Sequence, residues 1–233
     1  MNTSQLSHRL ERVASYAAGF NVLADIGSDH AYLPCYLCLN DYSLKAIAGE
    51  INEGPYQSAW KQVRLSQLEH QIDVRKGSGL NVLHQGEEVD VITVAGMGGP
   101  LIASILDGGK DKLIKVKRLV LQPNVASHAV RKWLMDHQYR IVAEDILEED
   151  EKIYEIIVAE PSVATVSYTE TELWLGPLLK QHQTSVFKKK WEHEKTSWKR
   201  VLKQLQLGNK SIELEQKQAD LNRKIAMVEE ALL

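Results

Sequence analysis

Asp25, Gly27, Ser28 and Asp29, followed by His30, are the residues of this chain whose types and spacing suit ligand chemistry, and they lie in the segment VLADIGSDHAYLP at 22–34. The apolar run Val22, Leu23, Ala24 suits a buried parallel strand, Asp25 and Gly27 mark its exit, and Pro34 suits the first turn of a following helix. A corner of this kind builds a ligand site at the strand's carboxyl end. A dinucleotide-binding loop reads G-x-G-x-x-G, so that a pyrophosphate can approach the main chain, but here Asp29 stands at the second glycine position. A carboxylate there repels a pyrophosphate and accepts hydrogen bonds from an ammonium group, which points to S-adenosylmethionine and away from NAD or ATP. An ordinary strand-turn-helix corner without a ligand is the plainer alternative.

The scaffold for such a site is legible as short apolar segments at 22–26, 44–48, 72–74, 89–94 and 119–122 with helical stretches between them, which predicts five strands of a parallel α/β sheet. Two further segments, 139–147 and 153–159, are separated only by the acidic turn EEDE at 148–151, too short for a parallel crossover, and are expected to pair antiparallel at the sheet edge. Residues 5–18 carry Leu6, Leu10, Val13, Ala14 and Ala17 on one side of an amphipathic helix, expected to cover the sheet or the site. In an open parallel sheet ligands bind beyond the carboxyl ends of the strands, so the residues there are read together. Glu50 and Ile51 follow strand two, where an acidic side chain suits ribose hydroxyls; Gly77, Ser78, Gly79 and Leu80 follow strand three as a small-residue turn able to lie against a flat adenine. Ala95, Gly96, Met97, Gly98 and Gly99 follow strand four as a glycine-rich loop, and Gln122, Pro123 and Asn124 follow strand five. Each feature alone is common; five at matching places point to an adenosine-type cofactor.

A hydrophobic content of 44% over 233 residues suits one α/β domain with an appendage. No apolar run approaches the roughly 20 residues of a membrane span, and the N-terminal segment lacks the apolar middle of a signal peptide, so a cytoplasmic protein is expected. Cys35 and Cys38 are the only cysteines; one C-x-x-C pair cannot complete a four-ligand zinc site, so no metal is expected, and the pair reads as buried, reduced packing residues, with redox or metal chemistry as the alternative. The net charge of -3 conceals an asymmetry: residues 170–233 hold 12 Lys and Arg against 9 Asp and Glu, leaving 16 against 22 before them. Past residue 169 the pattern turns helical, with Phe187, Trp191, Trp198, Val201, Leu202 and Leu205, then Leu214, Leu221, Ile225, Val228 and Leu232, at spacings of three, four and seven. The stop at Leu207-Gly208-Asn209-Lys210-Ser211 between them predicts an antiparallel hairpin of coiled-coil type and a monomer, against dimerisation through one long helix. Lys188, Lys189, Lys190, Lys195, Lys199, Arg200 and Lys203 cluster on the first of these helices, where they either face phosphate or form a solvated face.

The segments DIGSDHAYLP, AGEIN, GSGL, AGMGG and LQPN, in this order, resemble the bacterial tRNA (adenine-22-N1)-methyltransferase family across essentially the whole chain. The resemblance implies a Rossmann-like, seven-stranded class I methyltransferase sheet at 1–165 and a C-terminal coiled-coil domain at 166–233, with S-adenosyl-L-methionine as cofactor and tRNA as partner. It implies that Asp25, Gly27, Ser28 and Asp29 hold the methionine part, Glu50 and Ile51 the ribose and adenine edge, and Ser78, Gly79 and Leu80 the adenine, with Gly77, Ala95, Gly96 and Met97 completing the pocket. At Ser78 the family more often carries aspartate; a serine hydroxyl accepts one hydrogen bond there without charge assistance.

Adenine N1 carries a lone pair at neutral pH, so its methylation needs in-line positioning more than a strong base, and an anion near the product stabilises the cation that develops. Asp29 suits that field, Asn124 and the 95–99 loop suit orientation of the base, and His30 or Tyr32 suit stacking on it. His30 and Tyr32 can equally be helix-start packing, and Asn124 a turn residue after Pro123. The alternatives in function are a methyltransferase acting on a small molecule or protein, and a non-catalytic RNA-binding protein.

Overall fold

The computed structural model describes residues 5–206 and 211–233, which divide into one compact unit ending at Ser167 and another beginning at Tyr168. The first unit runs α1 (His8–Ala17), β1 (Val22–Ile26), α2 (Tyr32–Asn40), β2 (Lys45–Glu50), α3 (Glu53–Leu65), β3 (Ile72–Lys76), β4 (Val91–Gly98), α4 (Gly99–Gly108), β5 (Arg118–Val125), α5 (Ser127–Asp136), β6 (Tyr139–Glu149) and β7 (Lys152–Pro161). Among the described residues the strands form a seven-stranded sheet in the order β3-β2-β1-β4-β5-β7-β6. β1 is flanked by β2 and β4, and β1 to β5 are all parallel; α2, α3 and α4 return the chain between β1 and β2, β2 and β3, and β4 and β5, while the connection from β3 to β4 runs through a 3-10 turn at Gly79–Val82. β7 runs antiparallel to both β5 and β6, so the expected edge pair enters the sheet through its second strand. Its turn places Asp150 and Glu151 at φ of 49° and 61°, the left-handed conformation that a two-residue hairpin loop demands.

The order of strands reverses at β1 and β4, and the elements around that point shape the site. α1 starts at Ser7, whose side chain accepts from the Leu10 N–H, and it buries Val13, Ala14 and Ala17 against the sheet. α1 packs across β4 and β5. The sequence expected a loop at 95–99 and an end of strand five at Gln122, and the structure corrects this: Ala95 to Gly98 belong to β4, β5 continues through Pro123 and Asn124, and the two extensions pair with each other through register shifts at Met97. Glycine and proline have low strand propensity and mask the continuation, yet both are accommodated where a bulge relaxes the ladder. Likewise Glu50 lies within β2, which runs past the expected end at Ala48, while Asp25 lies in β1 as its expected span 22–26 implies; Gly79–Val82 form a 3-10 turn over the buried Leu80. Gly99 permits the start of α4 to touch the Val125–Ala126 backbone, where any Cβ would strike the Ala126 carbonyl.

Away from the strand ends, α5 is fastened to the hairpin by a fully buried ion triad. Arg131 donates through Nε to Glu144 at 2.7 Å and through Nη2 to Glu155 at 2.7 Å. Cys35 and Cys38 are buried free thiols on the core-facing side of α2, and burial pushes them up to about 11 and about 12, against the thiolate activation that a helix start can offer.

The second unit consists of α6 (Glu170–Leu175), α7 (Pro177–His182), α8 (Ser185–Leu205) and α9 (Ile212–Leu232). α6 opens with a capping box between Thr169 and Glu172. α8 buries Phe187 and Trp191, and α9 buries Leu221, Ile225, Val228 and Ala231, so the apolar stripes of the two helices meet in a helical hairpin. The expected stop at 207–210 lies outside the described residues; Ser211 caps α9 by accepting from the Leu214 N–H. Among the described residues no helix is long and apolar enough to cross a membrane.

Candidate active site

A cavity of about 370 Å³ opens at the carboxyl ends of β1, β2 and β4. Of the residues singled out in the sequence, Asp25, Gly27, Ser28, Asp29, Glu50, Ile51, Ala95, Gly96 and Met97 line it. At its base Asp25 is buried, accepting from Ser28 Oγ at 2.6 Å and from Thr93 Oγ1 at 2.6 Å. Burial pushes the Asp25 carboxyl up to about 6, with smaller upward contributions from Glu50 and Asp29; the two hydroxyls work in the opposite sense. Near neutral pH it is therefore mostly ionised, and a cation brought against it would be bound strongly.

Gly27 and Ser28 donate their backbone N–H groups to the Gly49 carbonyl, at 2.8 and 3.2 Å, which ties the β1 exit to β2. Gly27 has φ of 72°, and the Met97 side chain occupies the place a Cβ would take, so the turn admits glycine on two grounds. Beyond it Asp29, His30 and Ala31 all have positive φ, at 38°, 63° and 54°. The Asp29 N–H donates to Glu50 Oε1 at 2.6 Å, and this bond fixes the turn against the end of β2. Glu50 is raised from its ordinary value, chiefly by burial and against the bond from Asp29. The Asp29 carboxylate is 78% exposed, with His30 Nε2 at 3.6 Å.

Gly77, Ser78, Gly79 and Leu80 stand outside the cavity wall. The Gly77 N–H donates to the Glu50 carbonyl at 2.8 Å, Ser78 is exposed at the start of the 3-10 turn, and Leu80 is buried beneath it. His30 and Tyr32 are not in the wall either; they stack on each other at 5.4 Å between ring centroids. Asn124 is exposed on β5 and donates through Nδ2 to the carbonyl of Gly96, which is in the wall.

Several wall residues escaped the reading of the sequence. Arg9 of α1 lines the cavity, with Leu33, Asn52 and Pro55, beside Leu10, which the sequence places on the helix face expected to cover the sheet or the site. Arg9 donates to Gln122 Oε1, which also accepts from the Gly96 N–H at 3.0 Å, and its guanidinium lies over the Tyr154 ring at 5.2 Å from the centroid. The signal was present: Arg9 stands three residues after Leu6 and four before Val13, on the apolar face, where a guanidinium demands a partner. Thr93, a hydroxyl inside the apolar run VITV, gave a similar hint. Among the described residues no group of three or more His, Cys, Asp or Glu is placed to hold a metal ion.

Of the seven cations on α8, Lys188, Lys189, Lys199, Arg200 and Lys203 are exposed, and the Lys190 ammonium lies over the Trp191 ring at 5.0 Å. Lys195 pairs with Glu192 at 2.8 Å and Lys199 with Glu229 at 2.6 Å.

A sheet of this order, with its antiparallel seventh strand inserted between β5 and β6 and an acidic cavity at the reversal of strand order, defines a Rossmann-like methyltransferase of class I. A model of the tRNA (adenine(22)-N(1))-methyltransferase family matches residues 23–230. The tRNA (adenine(22)-N(1))-methyltransferase of Bacillus subtilis (strain 168) is 44% identical over 236 residues, which cover 100% of this chain and 99% of that protein. The crystal structure of the B. subtilis m1A22 tRNA methyltransferase TrmK superposes with a TM-score of 0.93 at 42% identity, covering 99% of this chain and 100% of that one. M. capricolum TrmK, solved with S-adenosyl-homocysteine, gives a TM-score of 0.84 at 29% identity over 96% of this chain and 98% of that one. The chain belongs to the tRNA (adenine(22)-N(1))-methyltransferase family.

Proposed function

We propose that this chain transfers a methyl group from S-adenosyl-L-methionine to N1 of adenine 22 in tRNA, the activity named for its family. The observation that carries this reading is the trio Asp25, Asp29 and Glu50 around one cavity at the strand ends, an anionic lining that suits a ligand bearing ammonium and sulfonium charges and opposes a pyrophosphate. The cofactor supplies an electrophilic methyl on its sulfonium. Asp25 and Asp29, with the Gly27–Ser28 turn, are assigned to the ammonium end, and Glu50 with Ile51 to the ribose and adenine edge. Gly77 and the 78–80 turn are assigned to the adenine face, and Ala95, Gly96 and Met97 to the wall opposite.

The acceptor N1 needs no deprotonation, so the work of the chain is positioning and field. The exposed Asp29 carboxylate stabilises charge as the base becomes a cation, His30 offers a stacking face, and Asn124 orients the base. An adenine in folded RNA leaves its stack to reach such a pocket, at a cost of a few kcal/mol. Lys188, Lys189, Lys190, Lys195, Lys199, Arg200 and Lys203 are assigned to tRNA phosphates, which position a large RNA without reading its bases. Residues 1–165 then form the catalytic domain and 166–233 the RNA-holding domain of a cytoplasmic monomer.

The test is transfer of labelled methyl to an unmodified tRNA, compared with the same tRNA carrying guanine at position 22. Label incorporated only into the adenine-bearing RNA is the expected result. Equal label in both would mean a different target, and none in either, with cofactor binding intact, would mean a different acceptor.

A further inference from the structure

Resting on adenine N1 as the acceptor, we propose that Asn124 reads the target adenine along its Hoogsteen edge, with Gln122 as the positioning residue that fixes which way the Asn124 amide faces. Gln122 is 0% exposed, a buried amide within β5 whose every side-chain bond goes to a group of fixed polarity or to Asn124. Its Oε1 accepts from Arg9 and from the Gly96 N–H at 3.0 Å, and neither of those groups can accept in return. Its Nε2 is therefore the donor and gives its bond to Asn124 Oδ1 at 3.1 Å. On the other side Asn124 Nδ2 donates to the Gly96 carbonyl at 2.8 Å, an oxygen that can only accept. Turning the Asn124 amide over would set donor against donor at Gln122 and acceptor against acceptor at Gly96. The orientation is thus locked by backbone polarity, carried through Gln122.

With those bonds made, the exposed Asn124 side chain keeps one Oδ1 lone pair and one Nδ2 hydrogen, with no further partner among the described residues. Presented together on one edge of the amide, as the proposal requires, this acceptor and donor match adenine in two ways, at N6–H with N1 or at N6–H with N7. The first would occupy the N1 lone pair that the reaction consumes; the second leaves N1 free to meet the methyl. Guanine presents O6 and N7, two acceptors, so a locked Oδ1 would face O6 and lose that bond. Discrimination between purines then comes from an amide that cannot flip.

The experiment uses the full-length enzyme and a tRNA with 7-deazaadenine at position 22, which replaces N7 by C–H and keeps the N1 lone pair. The wild type is expected to lose about tenfold in kcat/KM on this RNA, the share of a bidentate contact carried by one bond. Asn124→Ala is expected to methylate both RNAs at one reduced rate. Gln122→Glu keeps the acceptors for Arg9 and Gly96 but cannot donate to Asn124, and is expected to lose most of the 7-deaza penalty. Calorimetric cofactor affinity of each variant establishes that it is folded. Equal wild-type rates on the two RNAs overturn the edge reading alone, as does a full penalty in Asn124→Ala; a full penalty in Gln122→Glu overturns the positioning role. Failure of the wild type on natural tRNA overturns the acceptor assignment and the edge reading with it.

Discussion

Asp25 is held inside the sheet by two hydroxyl hydrogen bonds, and Glu50 beside it accepts from the Asp29 backbone, whereas Lys188, Arg200 and Lys203 stand exposed on α8 and Lys199 pairs across a half-exposed surface with Glu229. Both regions gather charge of one sign, yet the first fixes it at hydrogen-bond precision and the second leaves long flexible stems. A small cofactor with a defined geometry calls for the first arrangement, because ordering the groups beforehand spares that cost when the ligand arrives. A phosphate backbone, with charge spread along its length, is served by the second.

The contrast between fixed and loose charge is broken most severely at the buried triad. Arg131→Met leaves Glu144 and Glu155 uncompensated in the core and is expected to cost about 3–5 kcal/mol in denaturant unfolding, whereas Lys199→Ala should leave the transition almost unmoved. A loss at Arg131 no larger than that at Lys199 would show that burial does not separate the two classes.

Asp25→Asn sharpens the contrast through pH. The folded carboxyl is raised from 3.8 to about 6, so the stability it confers is full below the unfolded value and is lost as pH rises through about 6. The variant should therefore be more stable than the wild type at pH 8, by up to about 3 kcal/mol, and should converge with it near pH 4. It should also bind S-adenosylmethionine far more weakly, and wild-type affinity should fall as pH drops below about 6. Urea titrations at three pH values and calorimetry would measure both, and a variant with no gain at pH 8 would remove the buried-charge account of Asp25.

The smallest expected effect lies on α8. Replacing Lys188, Arg200 and Lys203 together by glutamine should weaken tRNA binding and reduce the slope of log K against log salt by up to about 2–3, with cofactor affinity unchanged. An unaltered salt slope would take these three cations out of the RNA contact.

The sequence made β1 legible to its ends, since Val22–Ile26 is apolar, short and followed by a glycine, and it made the β6–β7 hairpin legible through the acidic turn. The two helical stripes were equally plain, though Ala231 rather than Leu232 is buried at the end of α9. The ends of β4 and β5 were not legible, because Gly96, Gly98 and Pro123 read as loop and only their mutual pairing through bulges makes them strand. Nor was the bond from Arg9 to Gln122, 113 residues apart in sequence, which exists only because α1 lies across β5. Local pattern reports local propensity; contacts of that span are made by packing.

The left-handed run from Asp29 to Ala31 sets the interests of the fold against those of the site. An L-residue there costs of order 1–2 kcal/mol that glycine would not incur. Asp29→Gly would restore the spelling G-x-G at the β1 exit and relax the backbone while discarding the carboxylate. Selection for heat resistance alone would thus drift toward the loop of a nucleotide-binding protein, and with the role proposed for Asp29 only a screen that also demands methyl transfer would hold aspartate in place.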